Sequence, residues 1–464
     1  GLVAYNDVRG DTFATIDHTV VNATGDVTVL AENAAIITAS DSSVVSAWNG
    51  IGGVIVTNLV LSSGDALVDA SPITTSQAGN LLVSAAQTGQ IDAFASTAIE
   101  AWDAKSALLA FNSIGWQSQN IFFNIIDTLL GDPLISGAFD GEQPARAYAL
   151  VTNSPLDIAG DITVNAVSAT QLNAVAGNEN VVVAVVDIVF PSAGQQADKK
   201  TGAIAGYGAS GVAGGFVLAT NKVSSAARAA IEFTGAQQGK ASAGGALAVE
   251  AQDTAGIEAS SKVVQDVTTR NDLSGLTGVI NQIIIPGDYD YTTASGDVFL
   301  LAGDRVRVGP TYTGGGDTGA VYVYVGPDAL KTLGGIDYSS PSWVKVSAGP
   351  NIEDFYPGIG NFLDSDARAV GVLIVMNDLR SSVDARLVNA DVDAASVSVT
   401  ALESALLKAD GLMTVNASGG SMLGKGTVWA GGGQIATNVV LAEANAAIVA
   451  SDVTTTGDLL VSAK

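Results

Sequence analysis

The chain has no cysteine, which excludes disulfides, thiolate nucleophiles and thiolate metal sites and is compatible with an oxidising compartment. It has one histidine, His18, so neither a histidine metal cluster nor a histidine charge relay is expected. Basic residues are scarce, 20 against 46 acidic, and the formal charge of −26 argues against a nucleic-acid partner, whose phosphates would be repelled. Charged residues make up 14% and aromatics 6% of the chain. The longest apolar run, Val181 to Phe190, is broken by Asp187 and is too short to cross a bilayer, so no membrane span is expected. No basic segment followed by an apolar stretch opens the sequence, so this stretch shows no signal peptide.

What the chain does have is repetition. Of its 464 residues 47% are hydrophobic, with small β-compatible types favoured, as suits a narrow, tightly stacked interior. A pattern of apolar-x-Val-x-Ala recurs around Val29, Val83, Val164, Val249, Val399 and Val461. In five copies an Ile or Leu follows six residues after the alanine, and an Ala follows at eight. Alternating apolar residues predict strands with one buried face. The spacing inside each copy suggests two short strands joined by a tight bend, and about four strands per unit. Gly25, Gly79, Gly160, Gly245 and Gly457, with Ala395 as the exception, open the first strand, where glycine is expected to supply positive φ.

A second pattern, a Gly/Val-rich run ending in asparagine, alternates strictly with the first. Its asparagines are Asn6, Asn58, Asn112, Asn221, Asn377 and Asn438. Equivalent side chains in stacked parallel units lie about 4.8 Å apart, so these amides are expected to bond along the stack as a structural ladder. A third pattern, Ala-x-apolar, falls at Ala14, Ala66, Ala229, Ala385 and Ala446, and more weakly at Ala147. Fixed registers separated by variable spacers predict a bare unit of about 54 residues. They also predict insertions of roughly 29, 28, 99 and 10 residues in later units, looped out of the stack.

The resulting organisation is a mainly β parallel β-helix, or β-solenoid, of about six degenerate repeats. Repeats occupy 1–113, a helical insertion 114–145, and further repeats 146–269 with a loop insertion at about 178–202. An insertion with a small antiparallel β module (core 284–347) occupies 270–370, and repeats resume over 371–464. The first insertion holds Ile121, Phe122, Ile125 and Leu129 at helical spacing, which predicts an amphipathic helix over 119–130. In the Tyr-rich module, Phe299–Leu301 and Val306–Val308 flank Gly303 and Asp304 as a hairpin signal.

No cofactor is required by any motif. Calcium, held through Asp288, Asp290 and Asp317 beside Gly-rich turns, is the one ion for which candidate ligands can be named, although no EF-hand or calcium nonapeptide pattern is present. Exposed Tyr and Trp on the module would suit glycan contact. Arg9-Gly10-Asp11 matches a cell-attachment tripeptide and reads as a plain polar turn. No catalytic constellation emerges. Residues 1–31 and 433–463 align without a gap, so a piece of a longer array, or a subunit stacking head to tail, is expected.

The Ala-x-Ile-x-Ala and Gly-Asp-x-x-Val-x-Ala strands, the GW..NI.FN.IDTLLGDP segment and the GD-x-V-x-V…GGG…GAVYVYVG module together resemble the repeat regions of very large secreted or surface-attached bacterial proteins, often described as adhesin-like. The resemblance spans nearly the whole chain. It implies export, an extracellular or cell-surface location, and a structural shaft or stalk whose partners are copies of itself or neighbouring repeats. The alternatives are an adhesin binding glycan or another cell through the inserted module, and a carbohydrate-active enzyme on a β-helix.

Overall fold

The computed structural model describes residues 1–117, 141–187, 209–235, 238–272, 289–300, 303–309, 312–318, 320–326, 329–345, 365–420 and 425–464. They are mainly β, with no α-helix among them. The helix expected over 119–130 lies outside the described residues.

Strand Val27–Asp69 shows how one layer is made. Its first half, to Ala47, runs outward; the chain turns at Trp48–Gly50, and its second half returns. The two halves face each other, since Ala35 and Ile37 share one apolar cluster with Val60. A short third side, Ile73–Thr75, leads into the next outward run, Leu81–Ile114, which again includes its own return. Each layer is thus two facing walls of about 20 residues, roughly 65 Å wide, closed on one flank by a short strand.

Parallel pairing stacks the layers in register. The outward walls are the first half of Val27–Asp69, the first half of Leu81–Ile114, Ile162–Asp187, Ala246–Asp272, Ser396–Glu403 with Leu406–Ser418, and Leu459–Ala463. The return walls are Leu2–Asp17, the second half of Val27–Asp69, the end of Leu81–Ile114 continued by Ala145–Thr152, then Ala209–Glu232, Ser365–Val388 and Val428–Val449. The short sides form a separate six-stranded parallel sheet. Alternate residues of both walls point inward, so Val29, Val83, Val164, Val249 and Val399 line up in one buried column.

The alternation corrects the expected bend. Six is an even number, so the apolar pair that follows the alanine stays in phase with the first pair, and a single strand runs through both in the first four copies; in the fifth the wall is interrupted between Glu403 and Leu406. Each layer therefore has three sides rather than four short strands. The third pattern also shifts: Ala66 pairs with Ala149, so Ala149 and Val151, not Ala147, are the equivalents of Ala66 and Val68.

The recurrent glycines are needed for a different reason than the one expected. None of Gly25, Gly79, Gly160, Gly245 and Gly457 is at positive φ. All but Gly25 sit where they crowd the layer before: a Cβ on Gly79 would lie 2.4 Å from the Gly25 carbonyl oxygen, and one on Gly245 would lie 2.0 Å from Asp161 Oδ1, whereas one on Gly25 would meet nothing within 4 Å. Left-handed φ falls mostly at the corner after the return wall, on His18, Ala70, Asn153, Asn389 and Ala450, and before Gly79 it is taken by Gln77 and Ala78 rather than by the glycine.

Pairing offsets locate the insertions. The offset rises from 54 (Val60 with Ile114) to 83 (Ser63 with Arg146), which places 29 residues within the return wall. It rises from 81 (Glu100 with Val181) to 109 (Asp103 with Val212), placing 28 at the far edge. The far edge also takes the two later insertions, between Asp272 and Ser365 and between Ser418 and Val428. Asn178–Asp187 continues the wall, so the loop expected over 178–202 does not begin at Asn178. The first insertion is closed at its base by an antiparallel bridge between Trp116 and Glu142. Gly115 permits that exit: its φ is 77° and a Cβ there would lie 2.1 Å from the Ser224 carbonyl oxygen.

The inserted module has its own core of Leu300, Val306, Val308, Tyr322, Tyr324, Leu333, Tyr338 and Trp343. The expected hairpin is not formed. Asp297–Leu300 pairs antiparallel with Ala329–Thr332, whereas Arg305–Arg307 pairs antiparallel with Val321–Tyr324 and parallel with Tyr291–Thr292. Gly303 sits at φ 108° and its N–H bonds to the Tyr324 carbonyl, so the turn hands the chain from one small sheet to the other.

Candidate functional site

The structure brings all six asparagines into one column inside the walls. Each Nδ2 donates to the Oδ1 of the next layer: Asn6 to Asn58 at 2.8 Å, Asn58 to Asn112 at 2.8 Å, Asn112 to Asn221 at 2.9 Å, Asn221 to Asn377 at 2.8 Å and Asn377 to Asn438 at 2.8 Å. Asn58, Asn112, Asn221 and Asn377 are buried. An amide both donates and accepts, so identical residues satisfy one another along a parallel stack, which neither an acid nor a base could do. Each bond contributes a net ~0.5–1.5 kcal/mol, and an orphaned partner would cost about 1–3 kcal/mol. The ladder therefore fixes register more than it adds stability, since a layer displaced by one position would bury unpaired amides.

A second interior cluster of amides lies toward the far edge. Asn180 Nδ2 donates to Gln265 Oε1 at 2.7 Å, Gln265 Nε2 donates to Asn178 Oδ1 at 3.0 Å, and Ser106 Oγ donates to Asn180 Oδ1 at 2.8 Å. Gly215 makes room for it, because a Cβ there would lie 1.9 Å from Gln265 Nε2.

The outer face of the return wall carries ion pairs. Arg146 pairs with Asp65 at 2.8 Å and Arg228 with Asp384 at 3.3 Å between layers, and Arg386 pairs with Asp384 at 2.6 Å along one strand. Arg380 pairs with Asp378 at 2.9 Å and with Glu142 at 2.8 Å, its guanidinium stacked 4.8 Å from the centre of Trp116. These charges are consumed in holding the base of the first insertion and the neighbouring layers together.

Of the calcium candidates, only Asp290 and Asp317 fall among the described residues. Asp290 accepts from the Arg305 backbone N–H at 2.8 Å, and Asp317 is paired with Lys345 Nζ at 2.5 Å. Neither joins a group of three potential ligands among the described residues, and Asp288 lies outside those residues. The one such group is elsewhere: Asp17, His18 and Asp69 hold ligand atoms within 4.8 Å of one another. His18 Nδ1 lies 2.6 Å from Asp17 Oδ1, whose charge raises the imidazole pKa. The lone histidine thus does meet carboxylates, contrary to expectation, on an exposed corner. Arg9-Gly10-Asp11 lies within strand Leu2–Asp17, not in a turn; Arg9 pairs with Asp7, and Asp11 accepts from Ser63 Oγ at 2.7 Å.

One interior column escaped the sequence reading. Two residues beyond each motif alanine stand Asn33, Gln87, Ser168, Asp253 and Glu403, register neighbours that point inward. Continuing the period-two alternation past the alanine would have found them. In the first layers the column makes hydrogen bonds: Asn33 Nδ2 donates to the Gly10 carbonyl at 2.9 Å, and Gln87 Nε2 to Ser62 Oγ at 2.5 Å, although Gln87 Oε1 is left unpaired. At Asp253 the case differs. This carboxyl is buried, and neither of its oxygens makes a hydrogen bond of normal geometry. Burial, with the neighbouring Glu403 charge adding to it, raises its pKa to about 8; the nearby Ser225 hydroxyl and Thr254 N–H offset part of the rise. Glu403 is also raised by burial, less the bond from Ser381.

Comparisons with protein-family models, curated proteins and solved structures find no match to this chain.

Proposed function

We propose that this chain is a parallel β-solenoid segment that serves as a non-catalytic shaft or stalk of an extracellular or surface-attached bacterial assembly, and that the residues interrupting the repeat carry its specificity. The observation that supports this most directly is the asparagine column, which passes through six layers without a break even though insertions of very different length separate its members. Such a column suits an object whose layers must stay aligned over distance.

The reading in which the inserted module is a glycan-binding adhesin has less support. Tyr322, Tyr324, Tyr338 and Trp343 are buried in the module core, so these rings are not presented to a sugar. Immunogold electron microscopy with an antibody raised against the purified chain tests the proposal on cells that make it. Label along projections outside the cell is expected; label confined to the cytoplasm would overturn the location and the shaft role together.

A further inference from the structure

Asp253 and Glu403 are register neighbours on the same inward face, so their backbones lie about 4.8 Å apart in adjacent layers. Several acids are met by a donor from the neighbouring layer, Asn80 to Asp26, Asn173 to Asp92, Asn445 to Asp384 and Lys408 to Glu258, and the acid pairs Asp17 with Asp69 and Asp391 with Asp452 have an exposed member, unlike this inward-facing one. Here an acid faces an acid. Opposite them on the return wall are Ser225 and Ser381, themselves register neighbours. Ser381 Oγ donates to Glu403 Oε1 at 2.7 Å. Asp253 Oδ1 and Oδ2, Glu403 Oε2 and Ser225 Oγ make no such bond.

The site therefore gathers two carboxylates and two hydroxyls, and four of its oxygen atoms make no hydrogen bond of normal geometry. Asp253 is fully buried. Ser168, its neighbour on the other side, is turned toward the Ala145 carbonyl at 3.4 Å and supplies no donor to it. Glu403 is half-buried and gives the site an approach from solvent. Two buried like charges in adjacent layers would repel strongly in a low dielectric. A hard cation removes the repulsion and uses the free oxygens at once. Calcium suits the site better than magnesium: it accepts six to eight oxygens in irregular geometry and completes its shell with water, whereas magnesium demands a near-ideal octahedron.

We propose that Asp253, Glu403, Ser225 and Ser381 form a calcium site between two layers, inside the walls and separate from the carboxylates of the inserted module. The ion clasps the last two full layers, in the place that the amide bonds occupy in the asparagine column. Because binding requires both carboxylates ionised, affinity rises with pH.

The test uses the full chain after chelation. Isothermal titration with calcium chloride at pH 8 is expected to show binding at this site, and the melting temperature to rise by several degrees. Asp253→Asn removes the charge and replaces one of the two unpaired oxygens by a donor that cannot bind a cation. It is expected to lose the calcium-dependent shift while melting higher than the parent in chelator, which shows that it is folded. Ser225→Ala is expected to weaken binding about tenfold, and magnesium to produce little shift. No calcium-dependent change in the parent protein, with stability in chelator highest at acid pH, would mean that a proton alone relieves the pair and would overturn the proposal. An unchanged shift in Asp253→Asn would place the ion elsewhere and also overturn it.

Discussion

Two columns of polar side chains run through the same interior, one from Asn6 to Asn438 and one from Asn33 to Glu403, and they have opposite outcomes. In the first, one residue type repeats and every amide finds the next. In the second, the residue changes in each layer, from Asn to Gln to Ser to Asp to Glu, and the chain ends the series with two acids in contact. A buried polar column is stabilising when each member can donate in one direction and accept in the other. Where that condition fails, the position either costs stability or serves a ligand.

The comparison can be broken most severely in the middle of the asparagine column. Asn221→Leu would leave the Asn112 amide and the Asn377 carbonyl oxygen unpaired, and a loss of about 2–5 kcal/mol is expected in urea unfolding. A loss below about 1 kcal/mol would mean that the amides are individually dispensable. In the acid column the sign reverses. The folded pKa of Asp253 lies above that of an unfolded aspartate, so the unfolded chain releases this proton first. Its penalty on folding is absent below about pH 4, grows as pH rises, and is complete above about pH 8. In the absence of divalent ions Asp253→Asn should therefore stabilise by on the order of 2 kcal/mol at pH 8 and by nearly nothing at pH 4. Parallel pH profiles for the two proteins would refute the assignment.

Two smaller effects sharpen the contrast. Combining Asp253→Asn with Glu403→Gln turns the acid pair into an amide pair like those of the ladder. The double variant should exceed the sum of the single ones by about 1 kcal/mol, the value of one new bond between layers. Asn6→Leu, at the partly exposed end of the ladder, should cost only about 0.5–1 kcal/mol. An end effect as large as that at Asn221 would show that the column acts as one cooperative unit rather than as a series of pairs.

Register was the most legible property of this sequence, for a physical reason. Both walls bury alternate residues, so a slip of one position would expose every apolar side chain, and the Val, Ala and Asn positions are held to fixed spacing. The asparagine column followed from that spacing alone. The lengths of the insertions were legible too, because they are differences between fixed marks. Wall length was not: the turn at Trp48–Gly50 has no more turn chemistry than Gly64–Asp65, which lies inside a strand. The glycines were misread because crowding between layers depends on tertiary stacking, which no local pattern reports. Asp253 was missed because it interrupts an apolar alternation, and a single acid in such a run looks like its end.

The far edge of the stack separates length from alignment. The layers are aligned by contacts between the walls, while the chain is free to leave and re-enter at the rim, and the cost of closing a longer excursion grows only with the logarithm of its length. That edge already accommodates an excursion as small as the one between Ser418 and Val428 and one that holds a separate β module. It is a mounting rail, onto which a payload of almost any size can be grafted without the interior registering its presence.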